Sequence, residues 1–184
     1  MNISVVSKML VFSSLVFFYT GKTLPNANTD TRKILVQQDT YQCTPCGSDC
    51  DNEVYTEAGK CKHCGMQLVK KTSVSFKTIQ PTEICNYIKT HPDVVLLDVR
   101  TKKEFEGKAD PNYGTLKNAI NIPVQELDKR LSELAPYKNK DIIVYCSHSH
   151  RSPQACQILT QNGFTKITNL AGGMSVMQDN SCMK

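Results

Sequence analysis

The 184-residue chain has no stretch in which lysine and arginine are dense and interleaved with aromatic residues. Its formal net charge of +5 is mild and spread along the sequence, so the excess basic residues are expected on a solvated surface. Nucleic-acid-binding proteins usually concentrate such residues, and we therefore expect no nucleic acid partner. The hydrophobic content of 40% is ordinary for a globular chain, and the length suits one domain plus something small.

The chain also lacks an apolar run of the length that a membrane span requires. Residues 9–19 are apolar apart from two serines and follow Lys8, which suits the hydrophobic core of a signal peptide but is short for a span. No cysteine follows this run, which argues against a lipoprotein anchor. Small residues are not cleanly placed for cleavage near residues 20–21.

These features predict a signal peptide at residues 1–23, with an uncleaved N-terminal membrane anchor as the alternative. Either way the protein is expected to be exported, to the periplasm or the extracellular space, where disulfides form. It would contact a membrane only if the segment stays uncleaved. Residues 24–40 are polar apart from a patch at 34–36 and are interpreted as a linker.

Cysteine, by contrast, is abundant: five of the nine cysteines fall within residues 43–64. Two Cys-x-x-Cys pairs, each able to direct two sulfurs at one ion, are separated by fourteen residues. Residues 41–71 are therefore predicted to form a metal-knuckle module with a structural Zn²⁺, which so short a segment needs in order to fold. Cu(I) is an alternative metal, and disulfides are an alternative to metal. The predicted ligands are Cys43, Cys46, Cys61 and Cys64.

Residues 58–68 (AGKCKHCGMQL) resemble the small heavy-metal-binding domain of copper-efflux and metal-transport proteins. In the first half of that family's motif a histidine stands where this chain has Cys46, so the resemblance implies four ligand positions that are here all sulfur. Cys50 and His63 are additional donors, either of which can replace a ligand. Met66 is expected to pack after the second knuckle.

A second cysteine motif, residues 146–151 (CSHSHR), lies between an apolar run at 142–145 and a helical pattern at 152–162. A strand that delivers a cysteine to a tight turn opening a helix creates an anion site, because loop N–H groups converge and the helix N-terminus is partly positive. Both effects favour thiolate over thiol. Cys146 is therefore the predicted nucleophile.

Strands and helices alternate around this motif, which predicts an α/β fold with a mainly parallel sheet and helices on both faces. Sites in such sheets lie beyond the carboxyl ends of the strands, where Asp98 and Cys146 fall. Asp98 and Arg100 are expected to form a structural ion pair, and Cys85 and Cys156 to pack in the core. The predicted strands span 74–79, 94–97, 119–122, 142–145 and 166–170, and the helices 81–90, 101–106, 124–134 and 152–162.

Residues 76–178 resemble a rhodanese domain, within a predicted domain of residues 74–180. Four motifs in order carry the resemblance: 97–105, 119–123, 146–151 and 170–174. It implies a five-stranded parallel sheet and a cysteine that carries a persulfide. The chain departs from the family in having Ser149 in place of a loop glycine, no gly-his-ile segment before the third strand, and no tryptophan after the Gly172–Gly173 pair. A Cβ at Ser149 is expected to narrow the loop or strain its backbone.

The six-residue loop matches the family's sulfurtransferases and is one residue shorter than in related phosphatases and arsenate reductases. We therefore expect a sulfurtransferase in which Cys146 takes sulfur from a small anionic donor such as thiosulfate and passes it to a thiol or cyanide. The residues expected to bind the substrate are Ser147, His148, Ser149, His150 and Arg151.

Two alternatives remain at this stage. One is a metal-binding or redox-handling protein, for copper or zinc, whose rhodanese domain has low activity. The other is a thiol switch between Cys146 and Cys182, which lies in a tail expected to be flexible.

Overall fold

A computed structural model describes residues 38–184 of the chain. The predicted signal peptide or anchor, and nearly all of the predicted linker with its apolar patch, lie outside the described residues. Within them, no helix is both long and apolar enough to cross a membrane.

The cysteine-rich segment is built on a two-stranded antiparallel sheet. Strand β1 (Tyr41–Cys43) pairs with β2 (Leu68–Lys70), with Cys43 opposite Leu68. Between the strands lies a short 3-10 helix, Asp49–Asn52. A second one, Lys71–Ser73, follows β2 and leads into the larger part of the fold.

Five further strands form one sheet in which every neighbouring pair is parallel. The order across the sheet is β3-β7-β6-β4-β5, and this is the five-stranded parallel sheet that the resemblance implied. The strands are β3 (Lys77–Ile79), β4 (Val95–Asp98), β5 (Ile120–Asn121), β6 (Ile142–Tyr145) and β7 (Ile167–Leu170).

Every residue of β4 and β6 is buried, as their unbroken apolar runs predict for strands covered on both faces. Successive side chains point to opposite faces, so the two strands serve two cores. Leu97 and Val144 pack in one core, whereas Leu96 and Ile143 pack in the other.

Three of the four α-helices within residues 38–184 pack against the sheet. α3 (Val124–Arg130) and α4 (Arg151–Gln161) contribute to the first core, and α1 (Ile84–Thr90) to the second. The prediction of helices on both faces is therefore confirmed. The short α2 (Lys102–Phe105) begins at Thr101, whose hydroxyl and the Glu104 side chain form a reciprocal capping box.

The predicted helix 124–134 ends early. α3 ends at Arg130, and the chain continues as a 3-10 helix, Leu131–Tyr137, that contains Pro136. Proline has no N–H to donate and disfavours α geometry in the residue before it. The spacing of apolar residues is still satisfied, because Leu134 is fully buried.

The C-terminal tail is tied to the domain by a disulfide between Cys182 and Cys85. Cys85 does pack in the core as predicted, but its bond was not foreseen. The alternative of a Cys146–Cys182 switch is wrong for this structure, because Cys182 already has its partner. The tail also pairs with the loop before β5, since Lys117 N donates to Cys182 O over 2.9 Å.

The cysteine-rich segment touches the domain at Gly47. A Cβ placed there would lie 2.5 Å from the Cβ of Ala171, which follows β7, and the residue has φ +89°. Only glycine allows both this backbone conformation and this close approach.

We expect removal of the disulfide to lower stability by about 2–5 kcal/mol, because it cross-links residues 97 positions apart. Thermal unfolding with and without a phosphine reductant measures this effect. The reductant should lower the Tm of the unmodified chain but leave that of the double variant Cys85→Ser/Cys182→Ser unchanged. An equal Tm for the unmodified chain under both conditions would contradict the assignment.

Candidate functional site

Cys146 lies at the carboxyl end of the central strand β6, immediately before a loop that leads into α4. It is 1% exposed, and its Sγ is 3.4 Å from the Oγ of Ser152 in the first turn of α4. The predicted nucleophile is therefore held between a strand end and a helix N-terminus, where backbone dipoles favour negative charge.

Two backbone hydrogen bonds fix the start of the loop. The N–H of Met174 donates to the carbonyl of Cys146, and the N–H of Ser175 donates to that of Ser147, both over 2.9 Å. Gly173 makes this approach possible, since a Cβ there would lie 2.4 Å from the Cys146 carbonyl oxygen. The Gly172–Gly173 motif thus positions the loop.

The backbone N–H groups of residues 147–150 donate to no protein acceptor within residues 38–184. A loop of such donors ahead of a helix forms a concave site for an anion. These donors are therefore available to a ligand, and anion binding at the loop stays a prediction.

Ser149 has φ +53° and is 2% exposed. The left-handed conformation costs a non-glycine residue about 1–2 kcal/mol, so the backbone strain expected from the missing glycine is present. Asn169, on β7, compensates in part by donating from Nδ2 to Ser149 Oγ over 2.9 Å. Nothing in the sequence motif indicated this partner.

Arg151 forms a bidentate ion pair with Glu104 at the end of α2, with distances of 2.8 and 2.7 Å. Ser147 Oγ also donates to Glu104 over 2.8 Å. The hydrogen bonds from Arg151 hold the pKa of the Glu104 carboxyl well below its usual range. The sequence places Glu104 in a motif but does not predict that it binds both Ser147 and Arg151, at the two ends of the loop.

The two histidines of the loop are exposed. The ring of His148 lies edge-on to Tyr113, with centroids 5.3 Å apart, and its Nε2 is 3.3 Å from the tyrosine hydroxyl. His150 precedes the first residue of α4 without capping it through its side chain. Both lie where they can meet a ligand that approaches the loop.

Asp98 and Arg100 form the structural ion pair that the sequence predicted. Both are at most 1% exposed and make a bidentate contact, the shortest distance being 2.7 Å. Arg100 also donates to the carbonyl of Gly114 and the hydroxyl of Thr115. The pair therefore fixes the loop before β5 against the end of β4.

Cys156 is fully buried, as predicted, and burial raises the pKa of its thiol.

The cysteine-rich segment brings five sulfurs together, in a grouping that differs from the Cys-x-x-Cys pairing. Three of the four predicted ligands cluster with Cys50 rather than with Cys46. Cys46 belongs to an overlapping group that also contains Asp51. All five of these cysteines are free thiols.

A separate cavity lies at the opposite end of the sheet. Its volume is about 750 Å³, and it opens at the amino ends of β6 and β7, beside α1. No residue of the 146–151 loop lines it, so it is separate from the cysteine site.

A buried cysteine that follows the central strand of a parallel sheet, in a loop of unpaired N–H donors, defines a class of α/β proteins with a cysteine nucleophile in an anion site. The chain belongs to the family of the rhodanese-like domain, whose model matches residues 81–180.

Curated relatives support a sulfurtransferase-like enzyme. The chain is 35% identical over 82 residues to a sulfurtransferase of Allochromatium vinosum, covering 45% of this chain and 69% of that protein. It is 35% identical over 78 residues to thiosulfate sulfurtransferase PspE of Escherichia coli, covering 42% and 68%. A tRNA uridine(34) hydroxylase of Cronobacter sakazakii is 32% identical over 87 residues, covering 45% of this chain but only 23% of that protein.

Among solved structures, a protein of Staphylococcus saprophyticus is similar with a TM-score of 0.50 and 28% identity. The match covers 59% of this chain and all of that one. None of these matches covers the whole chain.

Gly173→Ala should abolish or strongly reduce activity, because its Cβ would meet the carbonyl oxygens of Cys146 and Ser147. Gly59→Ala is the matched control, since a Cβ at that position meets nothing within 4 Å. Thiosulfate:cyanide assays of the two variants make the comparison. Equal activities would show that the loop does not depend on this close approach.

Glu104→Gln should destabilise the fold at neutral pH by about 2 kcal/mol, the size of a charge-assisted hydrogen bond. Because the pKa of Glu104 is lowered in the folded state, its stabilisation is present above the ordinary Glu pKa and is lost as the pH falls. Urea unfolding should show the difference from the unmodified chain shrinking below about pH 4. A difference that stays constant with pH would exclude the ionised pair as its source.

Proposed function

We propose that the protein is an exported sulfurtransferase that moves sulfane sulfur from a small anionic donor to a thiophilic acceptor through a persulfide on Cys146. The observation that carries the proposal is the position of Cys146 at the end of β6, beside loop N–H groups that have no acceptor in the described part of the chain. Such donors stabilise a negative charge that develops on sulfur.

In the first step the Cys146 thiolate attacks the outer sulfur of thiosulfate. A new S–S bond forms to Cys146, and the S–S bond of thiosulfate breaks as sulfite leaves with the electron pair. The terminal sulfur of the persulfide then carries the charge, and the N–H groups of residues 147–151 hold it.

In the second step an acceptor attacks the terminal sulfur, and the Cys146 thiolate departs. Cyanide becomes thiocyanate in an assay, and a thiol acceptor becomes a persulfide in the cell. No net oxidation of the enzyme occurs, so the cycle needs no added redox cofactor.

The side chains of the loop have two proposed roles. Some hold the loop in position, and others attract the incoming donor. Arg151 and Ser147 are both held by Glu104, which supports a role in keeping the loop open to a single sulfur atom. Exposed His148 and His150 add positive charge toward the donor when they are protonated. Arg151 attracts the donor less than a free arginine would, because Glu104 neutralises its charge.

The similarity to thiosulfate sulfurtransferase PspE favours thiosulfate as the donor. The similarity to a tRNA uridine(34) hydroxylase is confined to about a quarter of that protein. The chain's mild charge also argues against a nucleic acid substrate.

A second candidate is a metal-binding or redox-handling protein with a low-activity rhodanese domain. The five clustered thiols and the strained Ser149 favour it. Reversible binding of Cu(I), combined with no persulfide at Cys146, is the result that would select this candidate.

Intact-mass spectrometry after incubation with thiosulfate tests the proposed function. The chain should gain one sulfur, about 32 Da, as expected of a persulfide intermediate. Cys146→Ser should not gain it, whereas Cys156→Ala, which removes a fully buried thiol outside the loop, should. No gain on a Cys146 shown to be a free thiol would contradict the proposal, and Ser149→Gly then tests whether the strained residue disables the loop.

A further inference from the structure

The cysteine-rich segment, residues 41–71, brings four cysteine sulfurs close together. Four Sγ atoms all lie within 4.8 Å of one another, and those of Cys43 and Cys64 are 3.3 Å apart. A zinc ion with Zn–S bonds of about 2.3 Å separates its four sulfurs by about 3.8 Å. The four cysteines are Cys43, Cys50, Cys61 and Cys64.

These sulfurs are free thiols, although the same chain contains a disulfide between Cys85 and Cys182. Three of the four cysteines are buried, and Cys64 is half-buried. Four thiols that lie close together without forming disulfides are the arrangement that a soft ion with tetrahedral coordination requires.

Cys46 Sγ is 3.9 Å from Cys50 Sγ, but Cys46 does not belong to the group that contains Cys61 and Cys64. It is held by Asp51. The thiol of Cys46 donates to an Asp51 oxygen over 3.5 Å, and its backbone N–H donates to the same carboxylate over 2.9 Å. The N–H of Gly47 adds a third bond of 2.7 Å. Asp51 is thereby committed to the 46–47 backbone, which argues against the overlapping group in which it would be a ligand.

The second pair of sulfurs sits on a rigid knuckle. Gly65 N donates to Cys61 O over 2.9 Å, and Cys61 N donates to Met66 O over 2.8 Å. These bonds close the turn on which Cys61 and Cys64 lie, so both sulfurs are directed to one side before any ion binds.

The segment has little else to stabilise it. Its buried cluster consists of Leu68 and the cysteines Cys43, Cys46, Cys50 and Cys61, with half-buried tyrosines at positions 41 and 55. One buried leucine is too little apolar surface to fold a segment of this length, whereas metal binding can supply the missing free energy.

We propose that this segment binds one Zn²⁺ through four thiolates and that Cys50, not Cys46, completes the set. The ligands are Cys43, Cys50, Cys61 and Cys64. On binding, the four thiols release four protons to solvent and form four Zn–S bonds, with no change of oxidation state. Cys46 stays a thiol against Asp51.

The test compares Cys50→Ser with Cys46→Ser in the full chain. Each protein is stripped with a chelator under reducing conditions and reloaded with Zn²⁺ or Co²⁺. Bound metal is measured by plasma mass spectrometry, and the thiolate-to-cobalt charge-transfer absorption reports how many sulfurs are ligands. The unmodified chain and Cys46→Ser should each bind one ion with the full absorption, and Cys50→Ser should lose tight binding.

Cys50→His separates ligation from packing, because imidazole can replace a thiolate as a zinc ligand. It should restore one bound ion with a reduced charge-transfer absorption. The proposal is overturned if Cys46→Ser loses the ion while Cys50→Ser keeps it, or if both keep it. It is also overturned if the four proposed ligands of the purified chain are found in disulfides, or if the reduced and stripped chain binds no Zn²⁺.

Discussion

The 146–151 loop depends on the close approach of the segment that follows β7 to the backbone of Cys146 and Ser147. The N–H groups of Met174 and Ser175 bind the carbonyls of Cys146 and Ser147, and this is possible only because Gly173 has no side chain between them. With its carbonyls bound on that side, the loop leaves the N–H groups of residues 147–150 without an acceptor among residues 38–184. The anion site is thus a consequence of where β7 ends.

The other interactions keep this arrangement in place. Glu104 ties Ser147 to Arg151 across the loop, and Asn169 holds Ser149 in its strained conformation. The buried Asp98–Arg100 pair and the Cys85–Cys182 disulfide fix the segment before β5, which carries the Tyr113 that contacts His148. A specific side-chain hydrogen bond thus supports a backbone conformation at Ser149 that glycine would adopt without strain.

The cysteine-rich segment is in contact with the same region. Gly47, next to Cys46, packs against Ala171, two residues before Gly173. Asp51 accepts hydrogen bonds from the N–H groups of Cys46 and Gly47, so an ordered turn lies against the segment that contacts the 146–151 loop.

Much of the fold, and the placement of Asp98 and Cys146, could be predicted from the sequence because these features depend on local patterns. The apolar runs of β4 and β6 and the alternation of strands and helices predict the parallel sheet, and strand ends place Asp98 and Cys146 at one edge. The capping residue Thr101 and the ion pair of Asp98 with Arg100 also follow from nearby residues.

What the sequence did not reveal depends on contacts between distant residues. Cys182 was assigned to a flexible tail, because its partner lies 97 residues away and no spacing rule links them. Asn169 and Ser149 are 20 residues apart, on different elements. The Cys-x-x-Cys spacing favours Cys46 as a ligand, whereas in the structure Cys50, on a 3-10 helix, groups with Cys43, Cys61 and Cys64, and Cys46 binds Asp51. The spacing of apolar residues also did not predict that α3 ends at Arg130, before the 3-10 helix that contains Pro136.

The central claim is that sulfur passes through a covalent intermediate on Cys146. Initial-rate kinetics test it most directly: thiosulfate is varied at several fixed concentrations of cyanide, and thiocyanate is measured. A persulfide that forms before the acceptor binds predicts ping-pong kinetics, with parallel lines in double-reciprocal plots. Intersecting lines would show that donor and acceptor must be bound together, and they would contradict the account.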